Sequence, residues 1–227
     1  MTHTLHRQGI PENLGDDYVI LAMSAKGINE AGSAEKLREV LRLALRHEPV
    51  NAGDMKTGNI LEKTAEEIIE RVTDTSIVHV VFNDLDAVVQ VLGELKSADL
   101  GVSIVISGLF SGTRECCQRA GLELAPHTVE YSLGVWGAKE RLPDEQVLQL
   151  STMCGHGMVS FNLVTRMVEE MAAGRLTSEE AALQLAEPCV CGIFNPARAA
   201  RLLREMASNE PVSGRRHGTA CLRGAEL

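Results

Sequence analysis

The chain has 227 residues, is 44% apolar but only 3% aromatic, and carries a net charge of −9. That composition supports a core of Leu, Val, Ile, Ala and Met in one domain, or a domain with an appendage. It excludes a basic face for nucleic acid or for an anionic membrane surface, since "SGRRHG" near the end is the one basic run, and no apolar stretch approaches the roughly 20 residues of a membrane span.

Residues 1–16 read as an irregular arm without the hydrophobic segment of a secretory signal, which points to the cytoplasm and to reduced cysteines. "DYVILAMSA" reads as a short apolar strand. In "GSAEKLREVLRLALRHEP", Leu37, Val40, Leu41, Ala44 and Leu45 form the stripe of an amphipathic helix that Pro49 ends. "NAGDMKTGN" at 51–59 reads as a solvated loop whose Lys56 is within reach of an anion, and "NILEKTAEEIIERV" as a second helix. "SIVHVVFN" reads as a buried strand, "LDAVVQVLGELKSADL" as a helix, and "GVSIVISG" as a third strand. "GTRECCQRAGL" reads as a short helix closed by Gly121, and "HTVEYSLGVWG" as a fourth strand.

Apolar runs without alternation, separated by helices, predict an α/β fold with a small, mostly parallel four-stranded sheet covered on both faces. From Leu142 onward the pattern is helical only. Helices are expected after Pro143, over 158–173, after the "TSEE" capping box at 177–180, and from the Asn195-Pro196 pair. The expected organisation is an arm (1–16), an α/β domain (17–141), a helical cysteine-motif region (142–207) and a polar tail (208–227).

Two stretches of the helical region carry chemistry. "STMCGHGMVSFN" places Cys154 and His156 among Gly155 and Gly157, and "EPCVCGIFNPARA" places Cys189 and Cys191 before Gly192 and Asn195. Both lie at predicted helix openings, where free N–H groups favour a thiolate. Cys154, His156, Cys189 and Cys191 are therefore the candidate metal ligands. An iron–sulfur cluster is expected ahead of zinc, because thiolates are the majority and glycines wrap them. The reading is a cytoplasmic metalloprotein acting on a small anionic metabolite, with a non-catalytic metal carrier or sensor as a further reading. A Met-rich helix stripe leaves room for a homodimer.

"MCGHG" (153–157) resembles the stretch around a catalytic cysteine in the proline and hydroxyproline racemase family. The resemblance implies a cofactor-independent isomerase or lyase in which Cys154 is one acid/base and Cys191 the other, with backbone N–H groups holding a carboxylate. On either reading Cys154, His156 and Cys191 are the candidate catalytic side chains. Gly155, Gly157 and Asn195, with Ser111, Gly112 and Thr113 at the end of the third strand, are the candidate substrate contacts. Cys116 and Cys117 diverge by about 100° on one helix, so at most one faces the core. His79 reads as a core histidine, His127 as a strand-start residue, and Asn83 and Asp84 as a helix cap or a ligand rim. His3, His6 and Cys221 lie near the two ends.

Overall fold

The computed structural model describes residues 4–122 and 129–208. His3, His127, Cys221 and the expected tail beyond Ser208 lie outside them. The arm holds a short helix, α1 (Pro11–Leu14), and leads into β1 (Tyr18–Met23). There follow α2 (Ser33–Leu45), the hairpin β2 (Asn51–Asp54) and β3 (Gly58–Asn59), and α3 (Ala65–Arg71). Then come β4 (Ile77–Phe82), α4 (Leu85–Ala98), β5 (Ser103–Ser107) and α5 (Phe110–Arg119). The helical region comprises α6 (Glu145–Ser151), α7 (Phe161–Ala172), α8 (Ser178–Ala186) and α9 (Pro196–Ser208).

The sheet has five strands in the order β3-β2-β4-β1-β5, and every neighbouring pair is antiparallel. This corrects the expectation of a mostly parallel four-stranded sheet. Along β1–α2–β2 and β4–α4–β5 the two strands of each unit do run the same way. Each unit is split by a strand of the other, which is the split β-α-β arrangement. Helices between strands thus do not make the neighbours parallel.

The apolar runs lack alternation because both faces of the sheet are covered. Tyr18, Ile20 and Ala22 of β1 and Val78, Val80 and Phe82 of β4 pack under α2 and α4. Val19 and Val81 point to the opposite face, into a core with Leu150, Val164, Leu185, Phe194 and Leu203 of the helical region. Double-sided burial, rather than parallel pairing, accounts for the pattern.

The fourth expected strand, "HTVEYSLGVWG", is a further correction: residues 129–136 form neither strand nor helix, and Leu133 and Trp136 are 74% and 80% exposed. Its apolar side chains find no sheet partner. The missing strands are β2 and β3, hidden in "NAGDMKTGN" because Asn, Gly and Asp are poor strand formers. Among the described residues no helix is long and apolar enough to cross a membrane.

Candidate functional site

The two cysteine loops meet. Cys154 lies between α6 and α7, and Cys189 and Cys191 lie between α8 and α9. The hairpin of α7 and α8 folds one loop back onto the other. Sγ of Cys189 is 3.9 Å from Sγ of Cys191, Sγ of Cys191 is 3.8 Å from Nδ1 of His156, and Cys154 is within hydrogen-bonding reach of Cys189. Cys154, Cys189 and Cys191 are 2%, 1% and 4% exposed, whereas His156 lies at the surface. The cluster is a buried trio of sulfurs with an imidazole at its mouth.

Helix openings are not what activates Cys154. Helix α7 starts at Phe161, capped by Ser160, which accepts from the Leu163 N–H at 3.2 Å, so the expected start at 158 is too early. The Cys154 thiol falls to about 5, first because Cys189 donates to it, against burial, and then because the N–H groups of Met158 and His156 point at it. Cys191 falls to about 7 by donation from Cys189, again against burial, helped by the Ile193 N–H. Cys189, donor to both sulfurs and buried, is pushed far up. Cys189 is thus hydrogen-bonded to a sulfur on either side. A positive ion in that position would satisfy all three sulfurs at once.

Two ligands on one tetrahedral ion at metal–sulfur bonds near 2.3 Å stand about 3.8 Å apart, and a sulfur and an imidazole nitrogen about 3.5 Å apart. The Cys189–Cys191 spacing already has that value and the Cys191–His156 spacing is slightly wider. Among the described residues no group of three or more His, Cys, Asp or Glu side chains stands as a metal-holding set.

Apart from Gly192 and Asn195, the supports of this cluster are residues that the sequence does not mark. Gly192 has φ +80°, and a Cβ there would meet Ala52 C and O and Asn59 Cβ at 2.9 Å. The loop therefore lies flat on the β2–β3 hairpin. Asn59 Nδ2 donates to Val190 O at 3.1 Å, and Asn51 Nδ2 donates to Phe194 O at 3.0 Å. From the arm, Arg7 donates to Asp17, to Ile193 O, and to Met153 O at 3.4 Å, so one guanidinium ties both cysteine loops together. Asp17 also accepts from Arg198 Nη1 at 2.9 Å and Asn195 Nδ2 at 3.0 Å. Burial alone would raise the Asp17 carboxyl, but Arg7, Arg198 and Asn195 more than offset it and hold it below the usual carboxylate range. Arg7 sits in a stretch that reads as an irregular arm, and only the Asp16-Asp17 pair before β1 hints at a buried partner.

The other expected site residues take varied places. Asn195 is fully buried and caps α9, its Oδ1 accepting the Arg198 N–H at 2.9 Å. Gly155 and Gly157 are exposed at the loop rim, Gly157 with φ +68° and open space around it. Ser111 is exposed, Gly112 packs on the Tyr18 ring, and Thr113 bonds back to Phe110 O at 3.3 Å, all away from the cysteines. Cys116 is buried under the sheet, its thiol raised by burial to about 11, and Cys117 is half-buried. His79 is buried in β4 opposite Leu21, Asp84 caps α4, and His6 faces Ser132 Oγ at 3.4 Å. Lys56 bonds Thr75. Compared with family models, with curated proteins and with solved structures, the chain gives no match, so the site is read from its own geometry.

Proposed function

We propose that the chain is a metalloprotein in which Cys154, Cys189, Cys191 and His156 bind one metal ion. The observation that carries the reading is the trio of buried sulfurs, with Cys189 and Cys191 3.9 Å apart, delivered by two loops and closed by a surface imidazole. Three thiolates and one imidazole are a borderline-soft tetrahedral set, which suits zinc. An iron–sulfur cluster also suits thiolates, but it distributes its ligands over several irons. The close sulfur spacing favours a single ion. The exposed His156 is the ligand through which an exchangeable fourth position would open.

The racemase-like reading draws support from two thiols held low, Cys154 and Cys191, with Cys189 protonated between them. It asks for space between two acid/base sulfurs for a substrate carbon. The trio is closed by mutual hydrogen bonds and nearly out of solvent, which favours an ion over a substrate in its centre.

Metal analysis separates the two. The purified chain is expected to hold about one zinc per molecule, and Cys154→Ala, Cys189→Ala and Cys191→Ala each to lose it, while His156→Ala binds it more weakly. A folded chain that takes up no metal under anaerobic reconstitution with zinc or iron, yet alters an amino acid's α-carbon configuration through Cys154, would replace the metal reading with the thiol one.

A further inference from the structure

The sheet ends in two different ways. Its β3 edge is two residues long, Gly58–Asn59, and is covered. Lys63 donates to Thr57 O beside it, and Asn59 Nδ2 donates to Val190 O of the second cysteine loop. Short length, a lysine and a covering loop are the usual means of keeping an edge from pairing with another chain.

The β5 edge has none of them. It is five residues long, Ser103–Ser107, and holds no charge and no proline. Its register against β1 is unbroken, so no bulge turns it aside. Among the described residues, no backbone bond beyond the ladder with β1 reaches residues 103–107. All five are half-buried, whereas Tyr18 to Ala22 of the neighbouring β1 are buried. The arm does not occupy this edge. Ser107 stands opposite Val19, so the two side chains share a face of the sheet, and the 2.8 Å bond from Ser107 Oγ to Thr4 Oγ1 places Thr4 over that face. Ile104 and Ile106 point to the other face and pack against the α2–α4 core.

A bare edge takes a strand, since a strand satisfies a row of N–H and C=O groups. The sequence of β5 says which strand. Ser103-Ile104-Val105-Ile106-Ser107 reads the same in both directions. Two copies turned antiparallel about a two-fold axis at Val105 therefore set like against like: Ser103 opposite Ser107, Ile104 opposite Ile106, and Val105 opposite the Val105 of the second copy. β-branched side chains directly opposite one another stabilise a sheet, and a two-fold axis is the usual symmetry of a self-complementary patch. Phe110 and Tyr131, 54% and 65% exposed, border the same hollow as Ser107, so they stand at the end of the strand and add apolar area to such a contact.

We propose that β5 pairs with β5 of a second copy of this chain, antiparallel and centred on Val105, which joins the two sheets into one. The second cysteine loop sits at the opposite edge, against β2 and β3, so the pairing is independent of the metal reading.

Sedimentation equilibrium of the whole chain, up to about 0.5 mM, measures the association, and a dimer is expected. Amide exchange at the outward N–H groups of residues 103–107 is expected to slow as the dimer forms and to recover on dilution. Charges test the register. Ser103→Lys with Ser107→Lys sets lysine against lysine at both ends of the pair and is expected to weaken the dimer about tenfold or more. Ser103→Lys with Ser107→Glu carries as many changes but sets lysine against glutamate, and is expected to restore it. The exchange measurement needs no variant, so it carries the result if either charged chain does not fold. A monomer throughout the range, a dimer in which residues 103–107 exchange as fast as in the monomer, or equal dimerisation of the two charged chains would overturn the proposal.

Discussion

At the residue scale the molecule turns on Asp17. Its carboxylate joins the arm, the start of β1 and the start of α9, accepting from Arg7, Arg198 and Asn195. Removing its charge leaves two buried guanidiniums without a counter-charge. Asp17→Asn is therefore expected to cost about 3–5 kcal/mol by chemical denaturation. The pH dependence has a definite sign. The folded carboxyl lies below its unfolded value, so the stabilisation is fully present above about pH 4 and is lost as pH falls through the folded value. A loss under 1 kcal/mol in Asp17→Asn, or wild-type stability unaffected by acid down to pH 2, would show that the network does not hold the arm in place. Little of this is legible in the sequence beyond the Asp16-Asp17 pair before β1. Arg7 and Asp17 are ten residues apart, and their partners lie near the end of the described chain, so only the fold brings their charges together.

At the element scale, local physics was readable and strand pairing was not. The stripes of α2 and α9, the capping box of Thr177–Glu180 and the Asn195 cap all follow from residues a turn apart, whereas α3, read from Asn59, starts only after the Thr64–Glu67 box. β2 and β3 escaped because they are made of residues chosen for close approach and polar support rather than for strand propensity. Gly53 is the plainest case: a Cβ there would meet Gly58 O at 2.5 Å and Cys191 O at 2.7 Å. The hairpin is a seat for the second cysteine loop, and Gly192 is the point of contact. Gly192→Ala combines a left-handed backbone with a backbone collision at 2.9 Å, whereas Gly157→Ala has the left-handed backbone alone. The second change is expected to cost about 1–2 kcal/mol, and the first clearly more, with weaker metal binding as well. Thermal unfolding and metal titration of the pair test this. Equal costs would mean that the hairpin does not position the loop.

At the scale of the whole molecule, two cores share one sheet. The α2–α4 layer covers one face, and the helical region covers the other through Val19 and Val81. That second layer converts two motifs some thirty-five residues apart into one cluster, with the cysteine sulfurs packed in the same core as Leu150, Phe194 and Leu203. The presence of both layers was legible, since apolar runs without alternation demand cover on each face. The antiparallel order was not, because a strand buried on both sides carries the same residues whichever way its neighbours run. The meeting of the cysteine loops was legible as an expectation, because a short helix between the two motifs can fold one turn onto the other. The clasp that enforces it, Arg7 on the carbonyls beside Cys154 and Cys191, was not.

The claim at the centre of this account is that one ion sits among sulfurs from both loops. X-ray absorption at the metal edge of the purified chain measures that directly. The geometry predicts three sulfurs at about 2.3 Å and one nitrogen at about 2.0 Å around a lone zinc. A shell of oxygen and nitrogen only, or a metal–metal vector as in a cluster, would contradict it.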